Sequence, residues 1–226
     1  GLAKVFTDKG VPEEALKVLD RGKGEFKNNA EAAVQAAAIE SMAYQKMGQT
    51  DKAEAAIAEA EKLAESLSGK VSAEIAMDMA KSLFQLGEKE KACDLLQTVV
   101  KNNHENAEII SQIEGVFQSE QLGEEGENLI QESKQEVVNI NNQGVILARE
   151  GKLEEAVELL RKAVQSLPNS EVMLMNLCGM LIGLIKKTGK DDRLASEAKN
   201  LLDRVRELNP TNKKYHEYAS ALNEVS

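Results

Sequence analysis

Few side chains in this sequence could do chemistry, and they are scattered. A metal centre or an acid–base pair needs histidine, cysteine or carboxylate groups at short, fixed spacing. Neither histidine, His104 or His216, has a carboxylate or cysteine at a metal-ligand spacing that stands out. Cys93 and Cys178 lie far apart, each within an apolar helix face, and read as buried thiols of a reducing compartment. No glycine-rich phosphate loop, serine elbow or cysteine pair is written in the chain. Glu154, Glu155 and Glu158 fall among Lys152, Arg161 and Lys162 at helical spacing, the pattern of a solvated, salt-bridged face. The expectation is a protein that is not an enzyme, with no catalytic residue, metal or cofactor.

Charge and composition narrow the partners. Over 226 residues the formal net charge is −10, which disfavours a nucleic-acid backbone or an anionic membrane surface. A protein or peptide of basic or apolar character is expected instead. Hydrophobic residues reach 42% but aromatics only 3%, so small and aliphatic side chains must do the packing. The longest apolar run, Val172 to Ile185, is broken by Asn176, Gly179 and Gly183 and is too short for a membrane span. With no signal peptide in view, the expected location is cytoplasmic.

The elements that position these residues announce themselves by repetition. A glycine is followed five residues later by an alanine at Gly10/Ala15, Gly48/Ala53, Gly87/Ala92 and Gly151/Ala156, each time between two amphipathic helical stretches. Glycine ends one helix by entering the left-handed region, and alanine lets the next helix approach closely. Stacked helical hairpins follow.

The clearest unit covers 137–170, VVNINNQGVILAREGKLEEAVELLRKAVQSLPNS. It resembles the tetratricopeptide repeat: small Gly144, large Leu147, turn at Gly151, Ala156 and Ala163, closing Pro168. Gln143 departs from the pattern, since a large apolar residue is usual there. The same template predicts a partial repeat at 1–27, repeats at 28–71, 72–106, 107–136 and 171–212, and an end helix at 213–226. The repeat at 107–136 is degenerate, with Gly126, Ile130 and Ser133 in place of the usual small and large residues. Gly22 and Gly24 are expected to interrupt or shorten the second helix of the partial repeat, and Lys27-Asn28-Asn29 to form a polar turn. The first helix begins mid-pattern, which reads as a fragment with a missing part upstream. The fold class implied is all-α: a right-handed superhelical solenoid of antiparallel helix pairs, about five and a half repeats with a C-terminal capping helix.

In this resemblance the first helix of each hairpin lines a concave groove, and the residue two before the small packing position projects into it. Those places are Asn142 and Asn176, and in the preceding repeats Asp78 and Gln112, each pair thirty-four residues apart. Amides so spaced could hydrogen-bond the main chain of an extended peptide, or could satisfy helix-to-helix contacts. Val138, Val145, Val172, Met175 and Ile182 complete the expected groove as its apolar end, with Glu74, Asp78 and Glu108 at an acidic one. A carboxylate-clamping basic pair is missing, because Glu108, Gln112, Val172 and Asn176 hold its places. The function implied is a non-catalytic protein-binding scaffold. Self-association as a homodimer, through the apolar C-terminal repeat and end helix, is the alternative. The stretch from Gln135 through Ala163 also looks like the C-terminal part of bacterial response regulators that join a receiver domain to tetratricopeptide repeats, which implies a role in signal transduction.

Overall fold

The computed structural model describes residues 1–26, 29–67 and 70–225, apart from the Glu25 side chain. Lys27 and Asn28, part of the expected polar turn and the first repeat boundary, lie outside the described residues. Among the described residues the elements are twelve α-helices: α1 (Leu2–Asp8), α2 (Pro12–Phe26), α3 (Ala30–Lys46), α4 (Thr50–Ser66), α5 (Ala73–Gln85), α6 (Lys89–Asn102), α7 (Ala107–Ser119), α8 (Gly123–Arg149), α9 (Leu153–Ser166), α10 (Glu171–Thr188), α11 (Asp192–Leu208) and α12 (Tyr215–Asn223). The fold is all-α, built of successive helix pairs.

The turn chemistry explains the repetition. Gly10, Gly48, Gly87 and Gly151 all have positive φ, from 69° to 82°. After each, the next amide reaches back five residues, as from Gln49 N to Tyr44 O at 2.9 Å and Glu88 N to Leu83 O at 2.9 Å. Carbonyls left over at the helix end are thereby satisfied. The alanines five residues on, Ala15, Ala53, Ala92 and Ala156, are fully buried. A fifth turn of the same kind was invisible in the glycine pattern: Gln121 takes the left-handed place at φ 60°, Leu122 N reaches Phe117 O at 2.9 Å, and Gly126 stands where the alanine would. Phe117 explains that glycine, since a Cβ on Gly126 would lie 2.4 Å from the Phe117 ring.

Two features differ from the sequence expectation. Helix α2 runs through Gly22 and Gly24 to Phe26, whose ring folds back over Gly22; a Cβ there would sit 2.6 Å from it. Helix α8 is continuous across 136 and 137, where one repeat was expected to end and the next to begin. Between Gly126 and Gly144 it contains neither glycine nor proline, and Glu132, Lys134, Gln135 and Glu136 favour helix.

The chain divides into two compact units, residues 1–100 with 106–130, and residues 101–105 with 131–226. In the first, Asn29, Ser72 and Asn106 cap α3, α5 and α7 by accepting amide hydrogens with their side chains. Its core runs from Val34 through Ile75, Met79, Leu83, Leu96 and Ile113 to Phe117. A buried polar chain crosses it: Ser82 Oγ donates to Ser41 Oγ at 2.7 Å, and Ser41 Oγ donates to Ala53 O at 2.7 Å. In the second unit α10 is the central helix, with Met173, Leu177, Cys178, Leu181 and Ile185 buried against α9, α11 and α12.

Candidate functional site

The expected groove residues fall in both units. In the first, Asp78 on α5 is only 1% exposed. Lys4, on α1, reaches its Oδ1 at 2.8 Å and Glu74 Oε1 at 3.2 Å. Asp78 Oδ2 is buried without a hydrogen-bond partner. Burial pushes the Asp78 carboxyl above its usual pKa, by more than Lys4 pulls it down. For Lys4, burial works the other way, but Asp78 and Glu74 overcome it and raise the ammonium. The side chain that was to meet a partner's cation is thus closed over by a cation of the same chain. Gln112 and Glu108, on α7, are exposed.

In the second unit, α8 presents Val138, 41% exposed, with Asn142 exposed and Val145 half-buried. From α10, Val172 and Asn176 are half-buried, whereas Met175 and Ile182 are buried. Asn176 Nδ2 donates to Asn141 Oδ1 rather than to Asn142, one residue from the expected register. The amide of Asn176 therefore serves a helix-to-helix contact, and Asn142 is the amide left facing outward.

Beside Asn176 lies a cavity of about 400 Å³ between α10 and α12. Asn176, Gly179, Met180, Ile182, Gly183 and Lys186 line it from α10, and Glu217, Tyr218 and Ala221 from α12. A Cβ on Gly179 would stand 3.3 Å from Tyr218 Oη, so that glycine admits the tyrosine. Burial raises the Tyr218 hydroxyl above its ordinary pKa, which keeps it a neutral donor. Sequence reading missed this wall: Tyr218 was expected only to cover the end of the stack, and nothing in the periodicity signals Glu217 or Ala221.

The remaining reactive groups stay apart. Burial pushes the Cys178 thiol up to about 12, and Cys93 is raised by burial as well. His216 stacks edge-on to Tyr215, with centroids 5.4 Å apart. Among the described residues no three or more His, Cys, Asp or Glu are grouped to hold a metal ion, and no helix is long and apolar enough to cross a membrane. On α9, Arg161 meets Glu158 at 2.6 Å and grips both carboxylate oxygens of Glu197 on α11, at 2.8 and 2.7 Å. Part of the expected salt-bridged face thus ties two helices together.

Among known proteins, tetratricopeptide repeat family models match residues 34–67, 76–103 and 139–169. No curated protein matches the chain. Among solved structures it is similar to the human IFIT1 dimer with m7Gppp-AAAA, at 20% identity and TM-score 0.35, covering 99% of this chain and 63% of that one. The human IFIT1 dimer with PPP-AAAA gives 22% identity and TM-score 0.34, with coverages of 99% and 63%. The chain thus spans less than two thirds of the length of those proteins, and at this likeness nothing of their ligands carries over to it. Family-model matches, left-handed turns and buried alanines agree: residues 34–67, 76–103 and 139–169 match tetratricopeptide repeats within an all-α stack of helix pairs, and such repeats point to a scaffold for protein interaction.

Proposed function

We propose that this chain is a non-catalytic scaffold that holds a protein or peptide partner on the inner face of its C-terminal unit, formed by α8 and α10. The supporting observation is that α8 carries exposed Val138 and Asn142 with half-buried Val145, and is joined through Asn141 to Asn176 of α10, which lines the cavity. A preformed helical face loses little entropy when an extended chain docks, and a mixture of amide and aliphatic groups suits a peptide backbone with apolar side chains. Met175 and Ile182 are buried in the core of this unit. In the N-terminal unit Gln112 remains an outward-facing candidate, and Asp78 one that needs Lys4 to move aside.

The experiment is affinity enrichment with the full-length protein to find the partner, then calorimetry on a Val138→Asp/Asn142→Ala variant. Loss of a central contact pair at such a face costs about 2 kcal/mol, or roughly 30-fold in affinity. Unchanged affinity with intact helicity would overturn the assignment.

Support for a wider role, as the output part of a response regulator in signal transduction, is the resemblance over Gln135 to Ala163. The full-length gene tests it: an upstream segment of alternating strands and helices, with acidic residues at strand ends, is the expected result, and a secretion signal would end the reading.

A further inference from the structure

Gly183, like Gly24 in α2 and Gly115 in α7, is a helical glycine that packing does not explain, and of the three it is Gly183 that lines the cavity. It sits inside α10, where glycine destabilises a helix by about 1 kcal/mol relative to alanine. A Cβ built on it would meet no atom within 4 Å. Neighbouring Gly179 is accounted for by Tyr218, but Gly183 faces only the cavity between α10 and α12. Nothing in the fold needs the missing methyl. An occupant of the cavity would.

The lining states what that occupant is. Met180, Ile182, Tyr218 and Ala221 give an apolar interior. Lys186 and Glu217 line the same cavity, are exposed, and have no ion-pair partner among the described residues. Along α10, Asn176 and Lys186 are separated by about 15 Å at 1.5 Å per residue, the reach of four or five extended residues. The volume, about 400 Å³, is ample for one large side chain with its flanking backbone.

We propose that this cavity is a side-chain pocket for a short linear peptide in which a large apolar residue lies between a basic and an acidic one, the apolar group entering beside Gly183 while Glu217 and Lys186 pair with the flanking charges. The inference rests on the peptide-binding reading above and adds the sequence class of the ligand. Unpaired charges of both signs at an apolar pocket select register and orientation more than affinity.

The test is a titration of the folded chain with acetyl-Lys-Ala-Phe-Ala-Glu-amide, followed by NMR at the Met180 methyl and the Gly183 amide. Saturable shifts are expected, lost when alanine replaces the phenylalanine. Gly183→Leu should fill the pocket and weaken the peptide at least about tenfold. Gly183→Ala should raise Tm, since the position is spacious and helical; a lower Tm would show that packing demands the glycine and would overturn the proposal. So would an absence of shifts at millimolar peptide, or full binding by Gly183→Leu with native circular dichroism. Failure here, with Val138→Asp/Asn142→Ala still weakening a protein partner, removes the pocket and leaves the broader reading. Binding here, with that variant harmless, does the reverse.

Discussion

Asp78 shows how a residue expected to line a groove can be closed over by its own chain. The thirty-four-residue spacing to Gln112 marks it as groove-lining, but the sequence could not show that Lys4, seventy-four residues away, would cover it. The pair makes a clear prediction. Lys4→Met strands a buried carboxylate, and should cost about 2–3 kcal/mol, somewhat under the usual figure for a fully buried pair because Lys4 is partly exposed. With the folded carboxyl raised above 3.8, the native state holds the proton more tightly than the unfolded chain. The penalty is therefore fully present above the folded pKa and relieved as pH falls through it toward 3.8. Urea denaturation of Lys4→Met should show its deficit against wild type shrinking on acidification, whereas Asp78→Asn should remove that slope. A deficit independent of pH would mean that Asp78 is not the stranded charge. Asn176 teaches a related lesson: its position was legible, but the choice between a ligand and Asn141 depended on a helix crossing that periodicity does not encode.

Among the helices, the legible parts are those where backbone conformation demands a particular residue. Glycine with positive φ followed by a buried alanine is such a demand, and it located four turns. Where the demand is met at a cost the signal disappears, as at Gln121, whose φ of 60° strains an ordinary side chain. Gln121→Gly should stabilise the first unit by about 1 kcal/mol, read as a raised Tm; a lower Tm would contradict the assignment of that turn. Gly126→Ala should act in the opposite sense. Its methyl would overlap Phe117 and cost about 2–3 kcal/mol in urea denaturation, and a neutral result would show that Phe117 has room to move. The continuous α8 was not legible because the template supplies a boundary every thirty-four residues, whereas a helix ends only where glycine, proline or a cap stops it. Likewise α2 survives two glycines because Phe26 covers one of them.

For the chain as a whole, composition was a sound guide to class. Few aromatics, many alanines and a five-residue glycine–alanine spacing suffice for stacked helix pairs, since such a fold needs only local turns and nearest-neighbour packing. The proposed binding face is harder to read, because it consists of what packing leaves over: Val138 and Asn142 on α8, and the cavity that α12 completes against α10. Apolar residues of α10 that suggested self-association are largely consumed inside the unit, Ile182, Leu184 and Ile185 among them. What decides between faces is where a partner lies. A photo-crosslinking residue placed at Asn142, and separately at exposed Lys199 on α11, tests this most directly in the full-length protein. The enriched partner is expected to be trapped from position 142 and not from 199; trapping from 199 with none from 142 would overturn a partner on the α8–α10 face.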